Sequence, residues 1–393
     1  MPLPRDLQGL NIVVLNSISE AWYNDSFYDL ALGRETERTP GSSCVVYAIP
    51  DPDCDGEQLA CKKLEFSQTR RDFLTRVAKA ELQLLNNIAS WYIPRIRAAF
   101  YVEGDKPSRR QRVKHSALYI ILEPWVELSL EDLVEAMLSS ENGEDGEDGE
   151  DGEDGEDGED GEDVKPFAPW DPLGNPDIWP HFIGHCLAFL TTLWIVDPTY
   201  LESTKNMVVE EAFVRLPREY VDKFQKVRHK DLKPEHLRLM WEEKTGLTPL
   251  IIDFGISKIY AAGDPTEHEG SRKYLAPEQI TGNPASEKSD VFSMACCFTF
   301  IEAMLHSGTT GVRQIFEVAL SRHGGFRDNI QHVNDILNRA PTVQLSPGME
   351  RFRLELRKLV EFKMLVHNVA DRSNAGEVFE AFTEIHKNYE NGT

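Results

Sequence analysis

Apolar positions fall into two regimes along the chain. Up to residue 123 they come in short runs, at 10–15, 44–47, 59–64, 97–102 and 118–123, and each reads as a strand. In the run 59–64, period-two alternation places Ala60 and Lys62 on one face and Lys63 on the other. Between residues 67 and 88 the spacing changes: Phe73, Val77, Leu84 and Ile88 recur at helical intervals, with Glu81 inside the pattern. Beyond residue 123 the pattern is mainly helical. A short helix begins at Leu130, and a second covers 179–194 with Phe182, Ile183, Cys186, Phe189, Leu190 and Leu193. The apolar run 291–305 contains Glu302 and falls short of the roughly 20 residues that span a bilayer, so it reads as a buried core helix. Helical segments continue to about Thr383.

The polar breaks carry their own signals. Asp51-Pro52-Asp53-Cys54-Asp55-Gly56 starts like a calcium loop, but Lys62 stands where the bidentate glutamate belongs, so it reads as a turn between strands. Residues 104–114 form a basic loop with Lys106, Arg109, Arg110, Arg112 and Lys114. Seven consecutive Gly-Glu-Asp triplets fill 143–163, and such a tract repels itself, buries nothing and is expected to stay disordered. Five prolines between 166 and 180 continue this linker. His181 and His185 are spaced like metal ligands, but no third ligand is near in sequence, so they read as surface or satisfied histidines.

Composition narrows the classes. The 393 residues are 41% hydrophobic, enough for a packed core, and suit one two-lobed domain or two ordinary ones. The formal net charge is −24, and −10 remains once the 14 carboxylates of the triplet tract are set aside. That balance argues against nucleic-acid binding driven by overall charge. Six cysteines form no C-x-x-C pair or zinc spacing, which predicts a reduced intracellular protein, cytoplasmic or nuclear. The N-terminus lacks the apolar core of a signal peptide. Neither nucleic acid nor membrane is expected as a partner, and the oligomeric state stays open.

The chemistry concentrates in two loops, His229-Lys230-Asp231-Leu232-Lys233-Pro234-Glu235-His236 and Ile251-Ile252-Asp253-Phe254-Gly255. With Gly270-Ser271-Arg272-Lys273-Tyr274-Leu275-Ala276-Pro277-Glu278 downstream, they resemble the catalytic loop, metal-binding turn and activation-segment end of the eukaryotic protein kinases, Ser/Thr type. The resemblance covers about residues 27–385 and implies an α+β fold: a small antiparallel β lobe with one helix, hinged to a larger, mostly helical lobe. In its terms, 1–26 is an N-terminal extension, 27–123 the small lobe and 124–385 the large lobe. The acidic insert 139–170 and an unusual insertion 197–226 interrupt the large lobe, and 386–393 is a tail.

The resemblance also implies roles. Asp231 takes the proton of the acceptor hydroxyl, Lys233 faces the transferring phosphate, and Asp253 holds Mg²⁺. Lys62 contacts the ATP phosphates with Glu81 as its partner. Gly33 and Gly41 stand for the first two glycines of a phosphate cover, and Val46 for its adenine-facing valine. Ala60 belongs to the same nucleotide pocket. Leu122 is the gatekeeper, and the backbone from Glu123 to Trp125 bonds the base. Thr266 and Ser271 lie in the activation segment. Glu278 needs a buried cation, offered by Arg372, and Asp290 anchors the catalytic loop.

Two departures keep alternatives open. His236 replaces the loop asparagine that helps hold a second metal, which shifts the expected metal from Mg²⁺ toward Mn²⁺. Cys44 stands at the third glycine of the phosphate cover, as a reactive thiol or a small buried residue. The favoured reading is transfer of the ATP γ-phosphate to serine or threonine of a protein. The rivals are a pseudokinase that binds or scaffolds without turnover, and a small-molecule kinase, against which the segment 271–278 argues.

Overall fold

A computed structural model describes residues 2–15, 44–67, 69–87, 90, 92–103, 116–139, 174–192, 194–195, 225–242, 245–260, 270–281, 286–321 and 325–392. Outside them lie Gly33, Gly41, Ile88, Leu193, Thr266, the basic loop, the acidic tract and nearly all of the 197–226 insertion.

The first lobe is a five-stranded sheet in the order β1-β4-β5-β3-β2: β1 (Val13–Leu15), β2 (Cys44–Pro50), β3 (Gln58–Phe66), β4 (Arg95–Val102) and β5 (Ser116–Glu123). Four strands are antiparallel, as expected. The fifth, β1, pairs parallel with β4 through Val13↔Phe100, Val14↔Tyr101 and Leu15↔Val102. The N-terminal extension therefore belongs to this lobe, and Leu7 is fully buried in the core. The Asp51–Gly56 stretch is a turn: Asp53 N–H donates to Asp51 Oδ1 at 2.9 Å, and the Gly56 φ is +84°.

Alternation divides the sheet. Tyr47, Ile49, Cys61, Phe100, Tyr119 and Ile121 form a small cluster on one face, with Phe100 and Tyr119 stacked at 4.7 Å. Ala60, Leu64, Leu118, Ile120 and Leu122 face the main core. Helix α1 (Arg71–Asn87) buries Leu74, Ala78, Leu82 and Leu85. Of the positions the sequence pattern placed inside, Leu84 is buried at 2%, whereas Phe73 is 46% exposed and Leu74 takes its place in the core. Phe73 and Leu74 both satisfy the helical period, and the sheet face selects Leu74.

The larger lobe holds α2 (Leu130–Ser139), α3 (Trp179–Thr192), strands β6 (Trp194–Ile195), β7 (Gln225–Arg228), β8 (Leu237–Glu242), β9 (Gly246–Ile251) and β10 (Lys258–Tyr260), then α4 (Pro277–Thr281), α5 (Lys288–Ile315), α6 (Phe326–Leu337), α7 (Pro347–Leu359) and α8 (Ala375–Glu390). β6, β7 and β10 form one antiparallel sheet, and β8 with β9 another. Residues 225–226 thus belong to β7, not to an insertion. Capping explains several helix starts. Ser129 and Asp132 bond reciprocally at 3.1 and 2.7 Å ahead of α2, and Asn374 with Glu377 closes a capping box on α8. Helix α8 runs to Glu390, so the boundary drawn at 385 falls inside a helix rather than before a tail.

Helix α5 is the axis of this lobe. Its most apolar window is 89% buried in protein, as a core helix should be, although length and composition alone would also let it cross a membrane. Glu278 and Arg372 form a buried two-pronged pair at 2.7 and 3.1 Å. The same guanidinium donates to the carbonyls of Val366 and Lys288, and it lies 4.9 Å from the Phe292 ring centre.

Candidate active site

The site is assembled where β3, α1 and the two loops around β8 and β9 converge. Lys62 comes from the middle of β3, opposite Val46 on β2 and Ile120 on β5. Its Nζ lies 2.8 Å from Glu81 Oε1 and 3.0 Å from Asp253 Oδ1. Burial works against the Lys62 charge, but Asp253 and Glu81 hold its pKa well above the ordinary range. Lys63 points away, toward Glu65 and the Tyr119 ring.

The catalytic loop hangs from Asp290, near the start of α5. Its carboxylate accepts from His229 N–H at 2.8 Å and Lys230 N–H at 3.0 Å. Those bonds hold Lys230 at a φ of +71°, a region costly for a side chain with a Cβ. Burial pushes the Asp290 carboxyl up, opposed by His229 and the two amides. The His229 ring packs on Phe254 at 4.7 Å, and its Nε2–H donates to the Ile252 carbonyl at 3.0 Å. Ile252 N–H in turn donates to the His236 carbonyl at 3.1 Å, so the two loops are tied directly.

Asp253 also has a positive φ, +66°. Gly255 is required just after it: a Cβ there would meet Val77 Cγ1 at 2.7 Å. Burial alone would raise the Asp253 carboxyl, but Lys62 and then His236 reverse this and hold it below the usual carboxylate range. His236 ends the short 3-10 turn Pro234–His236, buried beneath the site. Its Nδ1 lies 2.7 Å from the Asp231 carbonyl, which can only accept, so Nδ1 carries the proton. Nε2 faces Asp253 Oδ2 at 3.5 Å. Asp231, His236 and Asp253 present ligand atoms within 4.8 Å of one another, a mixed oxygen and nitrogen set suited to a divalent ion.

Asp231 Oδ1 accepts the Ser271 N–H at 2.7 Å, which docks the activation segment on the catalytic loop. Gly270, with a φ of +113°, permits this approach: a Cβ would stand 2.5 Å from the Lys230 carbonyl. Lys233 is ion-paired with Glu235. Ala60 and Leu122 are partners across β3 and β5, and Val46 is 47% exposed beside them. Burial pushes the Cys44 thiol up to about 11, so it is a protonated, half-buried residue rather than an activated nucleophile.

The hinge differs from expectation. Pro124 has no N–H, and Trp125 N–H donates to the Gln58 carbonyl at 3.2 Å. The β3–β5 ladder continues past its last residue pair and takes up the donor assigned to the base. Motif reading omitted Gln58, because a backbone carbonyl leaves no mark in residue type. The resemblance puts Ser271 next to Asp231, but residue type does not show that its backbone N–H is the group that bonds.

Residues 219–382 match the family described as protein kinase domain. A probable myosin light chain kinase of Dictyostelium discoideum is 41% identical over 71 residues, covering 18% of this chain and 20% of that one. Serine/threonine-protein kinase A of Synechocystis is 29% identical over 93 residues, covering 23% and 16%. Serine/threonine-protein kinase pkn3 of Myxococcus xanthus is 27% identical over 162 residues, covering 39% and 27%. The matches thus span about a quarter or less of each relative's length. The family match begins beyond β5, so the small lobe with Lys62 and Glu81 stands on its geometry. The match over 219–382 and the small β lobe joined to a larger helical one make this chain similar to the protein kinases in sequence and in fold.

Proposed function

We propose that this chain transfers the γ-phosphoryl group of ATP to a serine or threonine hydroxyl of a protein. The observation that carries this is the meeting of Lys62, Glu81, Asp253, His236 and Asp231 in one site, from elements separated by up to 191 positions in sequence. Asp231 orients the acceptor hydroxyl and takes its proton through the carboxylate oxygen not held by Ser271. Lys62, kept charged and aimed by Glu81, holds the nucleotide phosphates. Asp253 stays ionised under the Lys62 field and, with His236 Nε2, would hold the divalent ion. When bound, that ion neutralises charge on the phosphates. Lys233 reaches the transferring phosphate by exchanging Glu235 for it. All six cysteines are free thiols, which supports a reducing, intracellular setting.

One observation favours the second reading, a pseudokinase. The Trp125 N–H is satisfied by Gln58, so adenine must compete for it or rely on the hinge carbonyls. The deciding experiment incubates purified full-length chain with labelled ATP, Mg²⁺ or Mn²⁺ and a generic protein acceptor. Transfer that is lost in Asp231→Asn supports the kinase. Nucleotide binding without transfer in either metal supports the pseudokinase.

A further inference from the structure

His181, at the start of α3, meets two further donor residues on α8, while His185 is taken by Tyr92. His181 lies in the first turn of α3, and its ring sits 4.8 Å from that of His386 on α8. Glu390, one turn beyond His386, brings Oε1 to 3.6 Å from His386 Nδ1. One ligand atom from each of His181, His386 and Glu390 lies within 4.8 Å of the other two. In a tetrahedral zinc site, with bond lengths near 2.0–2.2 Å, neighbouring donors stand about 3.4 Å apart. The His386–Glu390 pair, at 3.6 Å, is already close to that spacing.

The helices are built to meet here. Gly184 lets the backbones approach: a Cβ on it would stand 3.1 Å from Phe382 Cε1. Tyr389 Oη donates to Asp177 Oδ1 at 2.8 Å and pins α8 to the turn that leads into α3. Phe382, His386 and Glu390 follow at intervals of four, so they share the face that α3 covers.

His386 differs from the other described histidines that are buried or half-buried. His185 bonds Tyr92, His229 the Ile252 carbonyl, His236 the Asp231 carbonyl and His306 the Arg339 carbonyl. His386 Nε2 is buried with no hydrogen-bond partner, and Nδ1 faces only Glu390 beyond hydrogen-bond range. Burial also holds this imidazole toward its neutral form, the one a metal needs.

We propose that His181, His386 and Glu390 bind a zinc-class divalent ion that clamps α8 onto α3. The two nitrogens favour Zn²⁺ over Mg²⁺ or Ca²⁺, which require oxygen shells. The clamp is separate from the active site. Phe189, eight residues and about 12 Å farther along α3, is the residue that reaches Phe254.

The test uses full-length chain carrying Asp253→Asn and Cys54→Ser, which remove ligands from the other two donor clusters among the described residues, at the active site and at Asp51, Cys54 and Glu57. Zn²⁺ is titrated into it calorimetrically in buffer containing Mg²⁺. The clamp predicts one Zn²⁺ per chain and a rise in melting temperature on binding. It also predicts affinity at least about tenfold weaker when His181→Gln or Glu390→Gln is added, the scale of losing a metal contact. Both residues are exposed, so zinc-free melting curves should coincide with the parent and exclude misfolding. Absence of Zn²⁺ binding, or equal affinity in either variant, overturns the proposal and leaves His181 and His386 as a packing contact.

Discussion

His236 donates its Nδ1 proton to the Asp231 carbonyl at 2.7 Å and thereby turns Nε2 toward Asp253 Oδ2, 3.5 Å away. One imidazole bridges the proposed base loop and the proposed metal carboxylate. The hydrogen bond on one nitrogen decides what the other can do.

Exchange of His236 should therefore change metal preference. Imidazole nitrogen tolerates Mn²⁺ better than Mg²⁺. Wild type is expected to turn over faster with Mn²⁺. His236→Asn should raise the Mg²⁺ rate and cut the Mn²⁺ advantage by about tenfold, the scale on which ligand shells act. Steady-state rates in each metal check this, and equal ratios for both proteins would remove His236 from the ion's shell.

Lys62 is the one β3 lysine aimed at Glu81 and Asp253. Lys62→Met should lower phosphoryl transfer about 10²–10³-fold, as loss of a charge-stabilising donor does. Lys63→Met, on the opposite face, should leave the rate unchanged. Parallel assays and circular dichroism of the two variants decide it. A damaging Lys63→Met with a silent Lys62→Met contradicts the register.

Arg372 satisfies its guanidinium on Glu278 and two carbonyls inside the large lobe. Arg372→Ala strands a buried carboxylate and should destabilise by about 3–5 kcal/mol. Replacing both partners, as Glu278→Leu with Arg372→Met, should cost less than Arg372→Ala alone. Urea midpoints for the three proteins measure the difference.

Glu302 on α5 is fully buried, and burial pushes its carboxyl up to about 8, with Arg357 and Arg353 opposing. Arg357 Nε stands 3.3 Å away. Between 4.5, the ordinary value for a glutamate carboxyl, and about 8 the folded chain holds a proton that the unfolded chain releases. Stability from this residue is thus fully present at the acid end and declines as pH rises through the window. Glu302→Gln should flatten that decline. Denaturation midpoints at several pH values across the window test it, and parallel slopes for the two proteins would exclude Glu302 as the cause.

Deletion of residues 143–163 should leave the melting temperature unchanged, because Gly-Glu-Asp triplets bury no apolar surface to offset ordering entropy. A large drop would show that the tract pairs with a basic surface.

Motif spacing singled out the loops around Asp231 and Asp253, because the proposed phosphoryl transfer would restrict residue type there. Periodicity carried the strands, and it put Lys62 rather than Lys63 on the working face, since side-chain direction along a strand alternates by geometry. In α1 it put Leu84 in the core but chose Phe73 over Leu74, because both fit a 3.6-residue period and only the packed sheet chooses between them. Backbone partners were not readable at all. The Gln58 carbonyl on Trp125 and the Ser271 amide on Asp231 belong to every residue type alike. Nor could sequence join His181 to His386, 205 positions apart. Local sequence determined which elements form and which side chains could do chemistry. Tertiary packing decided which distant groups meet, because contacts between elements depend on helix rotation and close approach, as at Gly184, rather than on spacing along the chain.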